Sequence, residues 1–151
     1  MSELRFEVGL EWSGSGREGA GSIVTDDIEL EYSTPASMGG RGAGTNPEEL
    51  LVCAVATCYS ATLLGLLRHT SLPASAVRVE AAGTVGGYPA RARFERLVVS
   101  PTIVGGDPMR VGEYERVVET AHERCFIGRT IAGNVDYQVG SVAVEPMPVA
   151  A

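Results

Sequence analysis

One segment constrains the fold of this chain more than any other: a long apolar stretch that begins with strong helix signals. No charged residue occurs in the eighteen positions from Leu50 to Leu67. Just before it, Asn46 is suited to cap a helix, Pro47 to take its first position, and Glu49 to complete a capping pattern. The segment therefore predicts a helix with apolar side chains on every face, which is typical of a buried helix.

Two kinds of surroundings could bury such a helix. Its length reaches the lower limit for a membrane span. Thr57, Ser60 and Thr62 dilute its apolar character, however, and the rest of the chain has the alternating pattern of soluble strands. We therefore expect no membrane partner. Because one small sheet cannot cover a helix on all sides, we expect burial against a second subunit, in a homodimer.

The flanking segments predict short strands and one further helix. Apolar and polar residues alternate in the predicted strands, at 5–12, 20–24, 28–32, 76–85, 91–100 and 134–144. A second helix is predicted at 108–124, with an apolar stripe formed by Val111, Tyr114, Val118, Ala121 and Cys125. This order predicts an α+β fold, and a length of 151 residues fits a single domain, 1–151.

Composition excludes several classes of function. The net charge of -7 argues against nucleic acid as a partner, since phosphate backbones need a basic surface. With His69 and His122 as the two histidines and no Cys-x-x-Cys motif, we expect no metal site. The N-terminus lacks a basic region followed by an apolar one, so we expect a cytoplasmic protein with reduced thiols. Every basic residue is Arg, so any cation in a site is a guanidinium.

The three cysteines, Cys53, Cys58 and Cys125, are the residues best suited to chemistry. They are either buried and inert, or a reactive thiol with a resolving partner. Cys53 and Cys58 are about 7.5 Å apart along one helix and about 140° apart around it. That separation exceeds disulfide range, so we expect Cys53 to be a core residue. A bridge between Cys58 and Cys125 is geometrically open.

A thiol in an apolar helix needs help to react, because the thiolate is the nucleophile. Arg17, on a glycine-rich loop, is the leading candidate cation, and Glu48 could orient it through a bidentate pair. The alternative is a solvated arginine and an ordinary helix-start carboxylate. Glu48 and Cys58 are about 15 Å apart along a straight helix. One arginine contacts both if it spans that gap, if the helix bends, or if the residues come from two chains.

These residues resemble a known family. Gly44-Thr45-Asn46-Pro47-Glu48-Glu49-Leu50-Leu51, with Cys58-Tyr59 following, resembles the OsmC/Ohr family of peroxide-reducing proteins. Trp12-x-Gly14 with Arg17-Glu18-Gly19 resembles the family's first strand and arginine loop. Ala121-His122, Cys125 and Gly133-Asn134-Val135 resemble the segment that holds its second cysteine.

The resemblance implies antiparallel sheets around a long buried central helix, in an intertwined homodimer with active sites at the interface. It implies a cysteine-based peroxidase that acts in oxidative or osmotic stress. Organic hydroperoxides are the implied substrates, with hydrogen peroxide as a further candidate. Cys58 is then the peroxidatic cysteine, which forms a sulfenic acid, and Cys125 resolves it as a disulfide. Arg17 and Glu48 form the activating pair. A lipoyl-type dithiol is the implied reductant, with no bound cofactor.

Two positions depart from the family pattern. Many members carry proline directly after the second cysteine, where this chain has Phe126, and a small residue where it has Cys53. Two alternatives to the enzyme are a family member that binds or senses small apolar electrophiles without turnover, and a structural dimer with inert thiols. The chemistry of Cys58 discriminates among the three.

Overall fold

The computed structural model describes residues 1–150, in two compact units. The first unit is Met1–Leu51 and the second begins at Val52. The single domain expected from chain length stays a prediction.

The first unit contains a three-stranded antiparallel sheet. Its strands, in spatial order, are β1 (Gly9–Ser13), β2 (Ala20–Val24) and β3 (Glu29–Ser33). The loop between β1 and β2 turns through Gly14 and Gly16, which have φ values of 79° and 56°. That left-handed conformation favours glycine. The predicted strands are confirmed, although β1 begins later than the alternating pattern does.

The predicted long helix is confirmed as α1, Pro47–Leu67. The Asn46 side chain accepts a hydrogen bond from the Glu49 N–H at 2.8 Å, so the predicted cap is formed. Within residues 1–150, α1 is the one helix long and apolar enough to cross a membrane, judged by length and composition alone. The core helix of a soluble protein meets the same criterion.

Burial of α1 is confined to one face of the helix within this chain. The buried face consists of Val55, Tyr59, Leu63 and Leu67. The exposed positions include a row of small residues at four-residue steps, Cys53, Thr57, Ala61 and Gly65. The remaining faces were expected to be covered by a second subunit, and that part of the expectation stays a prediction. Cys53 is exposed, so it is not a core residue of the single chain. An all-apolar helix carries no pattern that says which face is covered.

The second unit has a mixed four-stranded sheet and two helices after α1. The strands are β4 (Ala76–Gly86), β5 (Arg93–Val104), β6 (Asp136–Val139) and β7 (Ala143–Glu145). The helices are α2 (Val111–Arg124) and α3 (Phe126–Ile131). Strands β4 and β5 are antiparallel, whereas β6 and β7 both run parallel to β5.

The parallel pairing corrects the expectation of antiparallel sheets alone. Helices α2 and α3 connect β5 to β6. A helical crossover of this kind returns the chain to the end of the sheet where β5 began, so the next strand runs parallel to β5. The predicted strand at 134–144 is also two short strands, β6 and β7, separated by residues 140–142.

The core of the second unit lies between α1, α2 and β5. Alternate β5 residues are buried, including Leu97, Val99 and Ile103. The predicted stripe on α2 is buried at Tyr114, Val118, Ala121 and Cys125. Val111 is wrong as a member of the stripe: it is 40% exposed, because α2 begins there, after a 3-10 turn at Pro108–Arg110. This core brings Cys125 to the α1 surface.

Candidate active site

Two of the three thiols meet inside the second unit. Cys58 is half-buried on α1 and Cys125, between α2 and α3, is fully buried. The Cys125 thiol donates a hydrogen bond to the carbonyl of Val55, 4.0 Å away and less than one turn before Cys58. Cys125 and Cys58 are close enough that Cys58 alters the ionisation of Cys125 by hydrogen bonding and by charge. Both are free thiols, one reachable from solvent and the other enclosed.

The Cys125 sulfur is held in an environment that keeps its proton. Burial raises the pKa of the Cys125 thiol above its ordinary value, a hydrogen bond from Gly128 lowers it, and Cys58 raises it again. The Gly128 N–H donates to the Cys125 Sγ at 3.4 Å, so the sulfur caps α3. A proton that stays on Cys125 is available to stabilise negative charge on its neighbour.

Two buried tyrosines lie near the thiols, and neither was predicted from the sequence as a site residue. The Tyr59 hydroxyl donates to the Val118 carbonyl at 3.4 Å. The Tyr137 hydroxyl oxygen is buried without a hydrogen-bond partner in residues 1–150. Burial is the main cause that raises the pKa of each tyrosine, and Cys125 contributes to both. Cys125 thus lies in an enclosure of buried aromatic side chains, and Cys58 lies at its half-buried edge.

The Tyr137 ring is positioned by close packing. A Cβ added at Gly128 would lie 2.3 Å from a ring carbon of Tyr137, so glycine is required for this approach. On another side, the His122 ring centroid lies 4.4 Å from that of Tyr137. His122 Nε2 is 3.0 Å from the Tyr137 carbonyl oxygen, which fixes the histidine to the backbone of β6.

The departure from the family pattern at Phe126 leaves the thiol pair intact. Phe126 is the first residue of α3, a position that suits proline, and its side chain is 59% exposed. Cys125 lies beside Cys58 without a proline next to it, held by Gly128 and by the packing of α2.

Arg17 and Glu48 belong to the first unit. Arg17 lies in an exposed 3-10 turn, Gly16–Glu18, and makes no ion pair in the described chain. Glu48 is in the first turn of α1, and its Oε2 atom is buried with no hydrogen-bond partner in residues 1–150. The predicted Arg17–Glu48 pair is therefore not formed within the described part of one chain.

Other features of the second unit do not compete with the thiol pair as a site. No group of three or more His, Cys, Asp or Glu residues suited to a metal occurs among residues 1–150. A groove of about 610 Å³ runs past His122 and Tyr137 and is lined by charges of both signs, including Arg93, Glu95 and Arg129. Neither Cys58 nor Cys125 lines it.

Comparisons with known proteins point in one direction. A family model described as OsmC-like protein matches residues 40–140. The uncharacterized protein YmaD of Bacillus subtilis (strain 168) is 29% identical over 142 residues, 92% of this chain and 94% of YmaD. The organic hydroperoxide resistance protein of Xanthomonas axonopodis pv. citri (strain 306) is 28% identical over 123 residues, 80% of this chain and 84% of its own.

Solved structures agree with this assignment. An organic hydroperoxide resistance protein OsmC from Legionella pneumophila has a TM-score of 0.73 and 25% identity, covering 93% of this chain and 99% of its own. An organic hydroperoxide resistance protein from Vibrio cholerae, with captopril bound in one of its active sites, has a TM-score of 0.72 and 26% identity, covering 93% of each chain. This chain, with its paired cysteines, belongs to the family of OsmC-like proteins.

Proposed function

We propose that this protein is a thiol-dependent peroxidase that reduces organic hydroperoxides, with hydrogen peroxide as a further candidate substrate. One observation carries the proposal: a half-buried thiol, Cys58, lies beside a fully buried one, Cys125. Relatives that are named organic hydroperoxide resistance proteins support the substrate class. The apolar surroundings of the pair favour a substrate with an apolar organic group.

In the first half of the proposed reaction, the Cys58 thiolate attacks the terminal oxygen of the hydroperoxide. The O–O bond breaks, an alcohol leaves after its oxygen gains a proton, and Cys58 becomes a sulfenic acid. The assignment of Cys58 as the attacking group rests on two observations. Cys58 is the member of the pair that solvent reaches, and Cys125 is the member whose pKa is raised.

In the second half, the sulfur of Cys125 attacks the sulfur of the Cys58 sulfenic acid. Water leaves and a Cys58–Cys125 disulfide forms. An external dithiol, of the lipoyl type, then returns two electrons by thiol–disulfide exchange and leaves as its own disulfide. We propose no bound cofactor, because every electron in this cycle passes through sulfur.

We also propose a homodimer, because the first unit leaves an apolar sheet face without cover. By strand register, side chains on that face include Leu10, Trp12, Ile23 and Leu30. Leu10, Trp12 and Leu30 are exposed although they are large and apolar. A contiguous apolar patch of this kind marks an interaction surface. The exposed row of small residues on α1 is a second surface that suits close packing.

Arg17 and Glu48 complete the proposed site across the dimer. Within residues 1–150 the exposed Arg17 guanidinium has no ion pair, and a buried Glu48 oxygen has no hydrogen-bond partner. Arg17 can donate the hydrogen bonds that the Glu48 carboxylate would accept. A guanidinium stays charged at any working pH. It stabilises the Cys58 thiolate and donates hydrogen bonds to the peroxide oxygen as negative charge develops there.

The experiment is peroxide consumption by the purified protein with a dithiol reductant. Cys58→Ser abolishes consumption, whereas Cys125→Ser reduces one equivalent of peroxide and then stalls. Cys53→Ser is the matched control on the same helix and keeps full turnover. Full activity in Cys58→Ser would refute the proposal. Oxidation of Cys58 once, with no turnover under any dithiol, would favour the alternative of a protein that senses or binds electrophiles.

A further inference from the structure

We propose that the Tyr137 hydroxyl is the hydrogen-bond donor that stabilises the Cys125 sulfur whenever that sulfur carries negative charge. The inference rests on the proposed thiol peroxidase function and adds a residue outside the predicted set of Cys58, Cys125, Arg17 and Glu48. It assigns Tyr137 to the step that regenerates the enzyme.

The first observation is an unused donor in the right enclosure. The Tyr137 hydroxyl is buried and makes no complete hydrogen bond in residues 1–150. A buried polar group without a partner is destabilising, so it calls for an explanation. The hydroxyl nevertheless interacts with Cys125: contact with the Tyr137 hydroxyl lowers the pKa of the thiol, and the thiol raises the pKa of the tyrosine. A lower pKa for the thiol and a higher pKa for the tyrosine are expected when the tyrosine hydroxyl donates a hydrogen bond to the Cys125 thiolate.

The second observation is that the ring is fixed. Gly128 both donates its N–H to Cys125 and leaves room for the Tyr137 ring, because it has no Cβ. His122 packs against the ring and binds the backbone carbonyl of Tyr137. A hydroxyl on a fixed ring loses little freedom when it forms a hydrogen bond, so it acts as a preorganised donor.

Exposure decides which sulfur needs this donor. In the reduced chain Cys58 is half-buried and Cys125 is enclosed, and we expect the same order of exposure in the disulfide. An external dithiol therefore attacks Cys58. A reductant–Cys58 bond forms, the Cys58–Cys125 bond breaks, and its electron pair goes to Cys125, which leaves as a thiolate and later takes a proton from solvent. The second reductant thiol then displaces Cys58, and the reductant leaves oxidised.

A leaving thiolate departs faster when it is stabilised. The Gly128 N–H supplies one hydrogen bond to the Cys125 sulfur. The Tyr137 hydroxyl is then the second donor to this sulfur. When it donates to the Cys125 thiolate, the hydroxyl gains the hydrogen-bond partner that it otherwise lacks. Donation to a charged sulfur is worth about tenfold in rate, given the usual strength of hydrogen bonds to charged groups.

The test uses Tyr137→Phe in a Cys53→Ser background, which leaves Cys58 and Cys125 as the thiols. The Cys58–Cys125 disulfide is formed with diamide and its reduction by dithiothreitol is followed by stopped flow. We expect reduction to be about tenfold slower than in the Cys53→Ser parent. Reaction of reduced Cys58 with peroxide is expected to change less than twofold. Equal reduction rates in variant and parent would overturn the inference.

A second measurement is the pH dependence of disulfide formation, which a purely structural role of Tyr137 would leave unchanged. The pH at which disulfide formation after peroxide reaches half its maximal rate reports the ionisation of Cys125. We expect Tyr137→Phe to move this midpoint to higher pH, because it removes a hydroxyl that lowers the pKa of the thiol. Tyr114→Phe is the matched control: it removes a buried hydroxyl that already donates to the Pro73 carbonyl, outside the thiol site, and it leaves reduction unchanged. If Tyr137→Phe does not fold, 3-fluorotyrosine at position 137 keeps the ring and strengthens the donor. Faster reduction is then expected, and unchanged reduction overturns the inference.

The diamide route separates the two proposals. If peroxide never oxidises the parent protein, the proposed function fails, while the effect of Tyr137 on reduction of the diamide-formed disulfide can still be measured. If the parent turns over but Tyr137→Phe is indistinguishable from it in both readouts, the inference alone fails.

Discussion

The two units of this chain differ in how completely each buries its own apolar side chains and pairs its own polar groups. The second unit encloses its core: one face of α1, alternate residues of β5 and the stripe of α2 bury one another. The first unit leaves the apolar face of its sheet exposed, and an oxygen of Glu48 is buried without a partner. The second unit holds the thiol pair, and the first leaves an apolar sheet face and a carboxylate oxygen without partners within residues 1–150.

This difference separates what one chain supplies from what the proposed dimer would add. Cys58 and Cys125 meet through contacts inside the second unit, so the proximity of the two thiols is already present in one chain. Arg17 and the uncovered sheet face remain unused within residues 1–150. We therefore expect changes in the first unit to affect rate and association, while the thiol pair persists.

The largest effect is expected from the cation. Arg17→Ala should slow the oxidation of Cys58 by peroxide about a hundredfold, because it removes a preorganised donor to developing negative charge. Arg41→Ala, which removes an exposed guanidinium from a neighbouring loop of the same unit, should leave the rate unchanged. Stopped-flow measurement of Cys58 oxidation checks both. Equal rates in Arg17→Ala and Arg41→Ala would break the assignment of Arg17.

A smaller effect is expected from the apolar sheet face. Leu10→Glu places a charge on this face and should weaken dimerisation at least about tenfold, since an unpaired charge in an interface is strongly disfavoured. Glu11→Gln, one residue along β1 and on the opposite face, is the control. Sedimentation velocity over a range of concentrations measures both variants. Unchanged association of Leu10→Glu would mean that this face does not form the interface.

The smallest effect concerns stability at alkaline pH. Burial raises the pKa of Tyr59 and of Tyr137 in the folded chain. An unfolded tyrosine loses its proton near pH 10. Above about pH 9 the folded state therefore binds more protons than the unfolded state, and stability falls as pH rises. Urea unfolding between pH 8 and 11 measures the slope, which Tyr59→Phe should flatten. A slope that Tyr59→Phe leaves unchanged would contradict this account.

The sequence predicted the elements whose signals are local. The start of α1 follows from Asn46 and Pro47, and strands β4 and β5 follow from the alternation of apolar and polar residues. The six-residue α3 was missed, because Phe126–Ile131 is too short to display a helical period. The direction of β6 and β7 was also missed, since alternation indicates a strand but not the partner or direction of its pairing.

The part of the candidate site that could be predicted also depends on local sequence signals. The spacing of Cys58 and Cys125 from recognisable motifs identified both thiols, and packing then placed them together. The exposure of Cys53 could not be predicted, because every face of α1 is apolar. Tyr137 was not predicted, because its position depends on a tertiary contact with Gly128, nine residues away in sequence. The Tyr137 ring packs against Gly128, where a Cβ would clash with it.

The central claim is that Cys58 and Cys125 form one redox pair. Its most direct test is disulfide mapping by mass spectrometry, after the reduced protein has been treated with one equivalent of an organic hydroperoxide. We predict a Cys58–Cys125 bridge as the main product, with Cys53 remaining a free thiol. A protein that stays fully reduced, or that forms a bridge through Cys53 instead, would contradict the claim.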